Sequence, residues 1–270
     1  MAEEKVKRKI QWKKVLGTLL SVFMLASVLA AFAFASASEE ELKCQDVSIK
    51  ILPEEIHFYK RKTILDLVKR GARKDQDLKG IPISKINTSR LEQVIEKQNW
   101  TEDAQVYSDL KGNLHIRVYQ RQPIFRVITS DGEQYYVDQN RIKFPISDKF
   151  TARVPVATGA ITESLRTGDS LYSFVGNQLF SLLSYVDNDA FLKALTAQIF
   201  VRADNELVLV PEIGDHLILI GDANNLEDKF ARLKAFYREG LNRLGWNAYK
   251  SIDLRFKNQV IATKKKNTHV

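Results

Sequence analysis

The alternation of apolar and polar positions divides the chain into one long apolar run followed by two regions of short elements. Val15 to Phe34 carries no charge and is mostly apolar. As a helix, about 20 such residues rise ~30 Å, the thickness of a bilayer's hydrocarbon core. From Val47 the period changes. Val47, Ile49 and Ile51 alternate with polar residues and predict a strand. Thr63 to Val68 predicts a short helix ending near Gly71, and Asn87-Thr88-Ser89-Arg90-Leu91-Glu92 carries the start signals of a second, with Leu91, Val94 and Ile95 at helical spacing. Ala104 and Val106, then Leu114, Ile116 and Val118, predict two strands around a Lys111-Gly112-Asn113 turn. The expected unit is a small sheet with two helices on one face.

Beyond Gln122-Pro123 the pattern is mainly of strands. Ile124 to Ile128 and Tyr135-Tyr136-Val137 flank a Ser130-Asp131-Gly132 turn. Ile199 to Val201 and Leu207 to Leu209 are joined through Asp204-Asn205, and Leu217 to Ile220 follows. One helix is expected near Asn177 to Tyr185. A second is marked by the apolar stripe Leu226, Phe230, Leu233, Tyr237, Leu241 and Leu244, with Asn224 or Asn225 as its cap. A long strand from Tyr249 to Ala262 closes the pattern. The expected protein is α+β: a tail (1–14), a transmembrane helix (15–35), a first folded domain (44–122), a β-rich domain (123–262) and a C-terminal tail (263–270).

Charge orients the anchor. The net charge is +8, but the excess lies at the ends, in Lys5, Lys7, Arg8, Lys9, Lys13 and Lys14 and again in Lys264 to Lys266. Basic residues before the run and Glu39 to Glu41 after it place the N-terminus in the cytoplasm and the bulk outside. Trp12 suits a headgroup-level anchor. Ala33-x-Ala35 and Ala35-x-Ala37 resemble signal cleavage sites, but a signal's apolar core runs about 7–15 residues, so a retained anchor is favoured. No nucleic-acid motif accompanies the positive charge.

Candidate chemistry is sparse. There is no Gly-x-Ser-x-Gly, phosphate loop, dinucleotide fingerprint or His-Glu-x-x-His. His57, His115, His216 and His269 are too scattered for paired ligation, and Glu54-Glu55 and Glu102-Asp103 read as solvated surface. No catalytic residue, metal or cofactor is expected. The single cysteine, Cys44, lacks the small-residue context of a lipid-attachment site and reads as a buried or juxtamembrane thiol. What stands out is the terminal segment. As one strand it would set Ile252, Leu254 and Phe256 on one face and Asp253, Arg255 and Lys257 on the other. A last strand is often an edge strand, able to accept a partner strand. It reads equally well as only the last structural strand.

Three stretches resemble the FtsQ/DivIB family of bacterial cell-division proteins. Arg121-Gln122-Pro123-Ile124 resembles the family's junction between a polypeptide-transport-associated (POTRA) domain and a β domain. Tyr136-Val137-Asp138-Gln139-Asn140-Arg141 resembles the strand and turn that follow. Ile252-Asp253-Leu254-Arg255-Phe256 resembles its Asp-Leu-Arg-Tyr terminal strand, with Phe256 where tyrosine is usual; Asn225 to Lys264 looks similar to Bacteroidetes-type members. The resemblance implies a non-enzymatic scaffold, single-pass in the inner membrane with its bulk in the periplasm and located at the division septum. It implies POTRA-mediated recruitment and a last strand that receives a β-strand from FtsB, itself complexed with FtsL. The implied partner-binding residues are Arg255, Phe256, Lys257, Val260 and Ile261. Two alternatives stand beside it: a POTRA-type adaptor in outer-membrane assembly or secretion, and an exported hydrolase.

Overall fold

A computed structural model describes residues 12–37, 42–72, 77–241, 245 and 247–265, with only the backbone of 12–15, 18, 32–37 and 241. Lys5 to Lys9, Glu39 to Glu41, Leu244, His269 and the tail beyond Lys265 lie outside the described residues.

Helix α1 (Trp12–Ala37) covers the apolar run. Its side chains are described without a gap over 19–31, roughly 20 Å at about 1.5 Å per residue. Among the described residues no helix is long and apolar enough to cross a membrane. The expected transmembrane helix is therefore not found as such.

The next unit is β1 (Val47–Leu52), α2 (Arg61–Gly71), a 3-10 turn (Ile83–Lys85), α3 (Thr88–Glu96), β2 (Thr101–Ser108) and β3 (Leu114–Gln120). β3 sits between β1, which it pairs in parallel, and β2, which it pairs antiparallel. The Asn87 side chain accepts from the Arg90 N–H and starts α3, as its sequence position suggests. Ile64, Leu67 and Val68 of α2 and Leu91 and Ile95 of α3 bury one stripe each against Val106, Leu114, Ile116 and Val118. Cys44 joins this core; burial pushes its thiol up, and it is a small packed side chain.

Only Arg121 and Gln122 separate β3 from β4 (Pro123–Ile128), the start of a second sheet. That sheet also contains β5 (Gln134–Asp138), β6 (Lys143–Pro145), β7 (Val156–Gly159), β8 (Thr196–Val201), β9 (Leu207–Pro211), β10 (Leu217–Gly221), β11 (Tyr249–Asp253) and β12 (Ile261–Lys264). The order across it runs β12, β11, β10, β9, β8, β7, β4, β5, β6. Pairing is antiparallel except at β4–β7, β7–β8 and β10–β11. Helices α4 (Phe174–Asp187), α5 (Ala190–Leu195) and α6 (Leu226–Phe236) contribute Leu179, Leu182, Leu192, Phe230 and Leu233 to the core with Ile199, Leu209, Ile218 and Ile252. A π-turn (Tyr237–Leu241) extends α6. Asn225 occupies the N-cap position of α6 in a left-handed conformation, but its side chain makes no capping bond, unlike the cap expected there. Gly159 holds φ +101° where a Cβ would overlap the Val201 carbonyl oxygen, so only glycine lets β7 and β8 close.

The two sheets share side chains. Phe58, after β1, lies among Trp100, Tyr136, Phe144 and Phe150 with ring centroids 5.1–6.3 Å apart. Trp100 Nε1 donates to the Pro145 carbonyl at 2.9 Å. Arg121 pairs with the buried Asp138 at 2.8 Å.

Candidate protein-docking edge

The terminal segment is not the single long strand its alternation suggests. β11 ends at Asp253, and β12 begins at Ile261 and returns antiparallel beside it, pairing Ile252 with Ala262 and Asp253 with Ile261. β11 is therefore interior, between β10 and β12, and β12 is the edge. Ile252 and Leu254 are buried as expected, but Phe256 does not continue their face. It lies in the connecting turn and is 45% exposed.

The cause of the break is tertiary. Arg232, on α6, donates from Nη1 to the Phe256 carbonyl at 2.9 Å and to the Gln259 carbonyl, and from Nη2 to the Leu254 carbonyl at 3.4 Å. Asp228, one helical turn earlier, accepts from Arg232 Nε at 3.0 Å and Nη2 at 2.8 Å. One guanidinium thus gathers three turn carbonyls that a straight strand would present elsewhere. Asn258 takes φ +61°, a left-handed conformation that asparagine tolerates better than most residues.

The candidates fall into distinct places. Arg255 is committed internally: its guanidinium binds Asp253 at 2.6 Å and Glu206 at 2.8 Å, and these carboxylates hold it still more firmly protonated. Burial works against the Asp253 carboxylate, but the hydrogen bonds and charge of Arg255 outweigh it and lower its pKa. Arg255 braces the end of β11. Lys257 is exposed in the turn. Val260 is half-buried against the larger core, and Ile261 opens β12, exposed. Beneath the turn, Arg232, Ala235, Phe236, Glu239 and Val260 line a groove of about 430 Å³. The five residues therefore flank one edge, but only Ile261 belongs to it.

The expected strand stops at Ala262, so sequence reasoning missed Thr263 and Lys264 of the edge strand, and Arg232 as its support. The spacing of Asp228 and Arg232 marks an i,i+4 pair; nothing local marks the carbonyls Arg232 would reach.

Among the described residues no group of three or more His, Cys, Asp or Glu side chains is placed to hold a metal ion. His216 Nε2 lies 2.6 Å from the Tyr237 hydroxyl in the core, and His115 lies 3.1 Å from Asp109.

Comparison with protein families gives two matches. The family model described as "FtsQ/DivIB, C-terminal related" matches residues 122–263. The one described as "POTRA-like domain" matches residues 42–119. A search of curated proteins gave no match. The first match spans more than half of the chain and contains the larger sheet except Lys264, the last residue of its edge strand, so the chain belongs to the FtsQ/DivIB family and carries a POTRA-like domain ahead of that region.

Proposed function

We propose that this protein is a non-enzymatic scaffold of the bacterial division machinery, anchored by its N-terminal apolar helix, that receives a partner strand along β12. The observation that carries the reading is the open edge: at the end of the family-matched region, β12 pairs on one side with β11 and has no strand on the other among the described residues. Unpaired backbone donors and acceptors on such an edge template another strand. The partner is FtsB, bound to FtsL. Ile261 and Thr263 supply side chains along the docked strand, and the exposed ring of Phe256 and the Lys257 ammonium stand at its entrance. The uncharged run Val15 to Phe34, preceded by basic residues and followed by Glu39 to Glu41, supports a single-pass anchor with the bulk in the periplasm. The match of 122–263 favours this reading over a POTRA adaptor for outer-membrane assembly.

The test is binding of the purified FtsB–FtsL complex to the full chain in detergent. Deleting residues 261–270 is expected to weaken binding at least about 100-fold, or ~2.8 kcal/mol. Unchanged affinity in a folded deletion variant would sink the edge-docking reading. An N-terminal fluorescent fusion is expected to form a midcell band during constriction; an even rim would count against the division role.

A further inference from the structure

We infer that Arg232 is a positioning residue for strand docking: it holds the β11–β12 turn so that β12 stands ready as an edge before any partner arrives. The inference rests on the reading of β12 as the docking edge. β12 has only four residues, Ile261–Lys264, and a single neighbouring strand; besides that pairing, Ala262 packs against the larger core, and the Lys265 N–H donates to the Ala248 carbonyl at 3.0 Å while its ammonium lies 3.0 Å from Asp215. Its connection to β11 runs from Leu254 to Val260 and, apart from Leu254 and the half-buried Val260, is exposed. Such a connection would ordinarily fluctuate. Here three of its carbonyls converge on one guanidinium that is itself fixed to α6 by Asp228. Arginine suits this because its planar fork presents several donors at once, which a lysine ammonium on a flexible stem does not reproduce. A strand already held in register loses less conformational freedom on pairing, so binding is stronger for the same contacts.

Arg232 touches no partner atom in this scheme. Its contribution is measurable in the free protein, and this separates the inference from the docking reading itself. The variants are Arg232→Lys, Arg232→Ala and Asp228→Asn, all in the full chain; Asp228→Asn leaves the guanidinium in place and serves if Arg232→Ala folds poorly. Hydrogen exchange of the free protein is expected to quicken about tenfold or more at β11–β12 amides and to stay unchanged at β8–β9. Binding of FtsB–FtsL is expected to fall about tenfold in Arg232→Ala, with Arg232→Lys and Asp228→Asn between it and wild type. Wild-type binding with undiminished affinity in both Arg232 variants overturns the inference alone. Faster exchange without weaker binding also overturns it, because the turn would then be held for folding only. If the wild-type chain fails to bind at all, the docking reading falls and this inference falls with it.

Discussion

Glu163→Ala is expected to destabilise the protein by about 3–5 kcal/mol, the usual result of stranding one half of a buried ion pair. Lys143 on β6 and Glu163 in the loop before α4 have side chains 0% and 2% exposed and meet at 3.3 Å. The ammonium also donates to the Ser164 carbonyl at 2.8 Å, and the carboxylate accepts from the Tyr172 N–H at 2.9 Å and the Ser173 N–H at 3.0 Å. Removing the carboxylate leaves an ammonium enclosed and two N–H groups unanswered. Replacing both partners, as Lys143→Met with Glu163→Leu, is expected to recover the part of the loss that comes from the enclosed ammonium, since an apolar pair needs no charge compensation, while the Tyr172 and Ser173 N–H groups stay unanswered. Urea denaturation checks both; a loss under about 1 kcal/mol for the single variant would contradict this account. The pair also sets a pH dependence. Burial alone would raise the Glu163 pKa, but the Ser173 and Tyr172 donors and Lys143 outweigh it and lower it. A carboxyl whose folded pKa is depressed stabilises fully above its unfolded value, about 4.3. Its contribution is lost as pH falls below that value and through the folded pKa. Acid unfolding of the wild type is therefore expected to lose this contribution, and the double variant to lack it.

The second large effect lies at the junction of the sheets. Phe58→Ala is expected to cost about 3–5 kcal/mol, the range for emptying a buried phenylalanine site. Phe58 is fully buried, and its cavity would open among Trp100, Phe144 and Phe150, which cannot all close in. Trp100 reports the change directly, so its fluorescence and the loss of stability should move together. Tyr107→Ala is the control: the ring is exposed, stacked on His115 and under Arg117, and its loss should cost less than about 1 kcal/mol. A control as damaging as Phe58→Ala would mean the junction is not where the stability resides.

How far the structure is legible in the sequence depends on which contacts decide each element. The region from Val47 to Gln120 is legible because α2, α3 and the three strands each bury one face, so period two and helical spacing survive in the residues. The hairpin at Ser130-Asp131-Gly132 is legible because Gly132, at φ +90°, does what the turn requires. β7, with Val156-Ala157-Thr158-Gly159, is not. It sits between two parallel neighbours, and four residues after Pro155 show neither alternation nor length. β6 has three residues and α5 six, too few for either period to register. The terminal segment misleads for a different reason. Its alternation persists through Phe256, but Arg232, some twenty residues earlier, bends the backbone after Asp253. The candidate edge was therefore legible as a region, and its strand was displaced to Ile261–Lys264 by a contact that only the folded helix provides.

The order of strands in the larger sheet has a consequence for occupancy. β12 ends the sheet on one side and β6 on the other, and Phe144 of β6 packs into the aromatic cluster shared with the POTRA-like domain. Eight steps between strands at ~4.8 Å each make roughly 40 Å along the sheet. A protein held at the POTRA-like end and a strand added at β12 would not compete for space. The sheet would then act as a spacer of fixed length, so that two bound proteins are presented together at a defined separation and each occupies its site whether or not the other is filled.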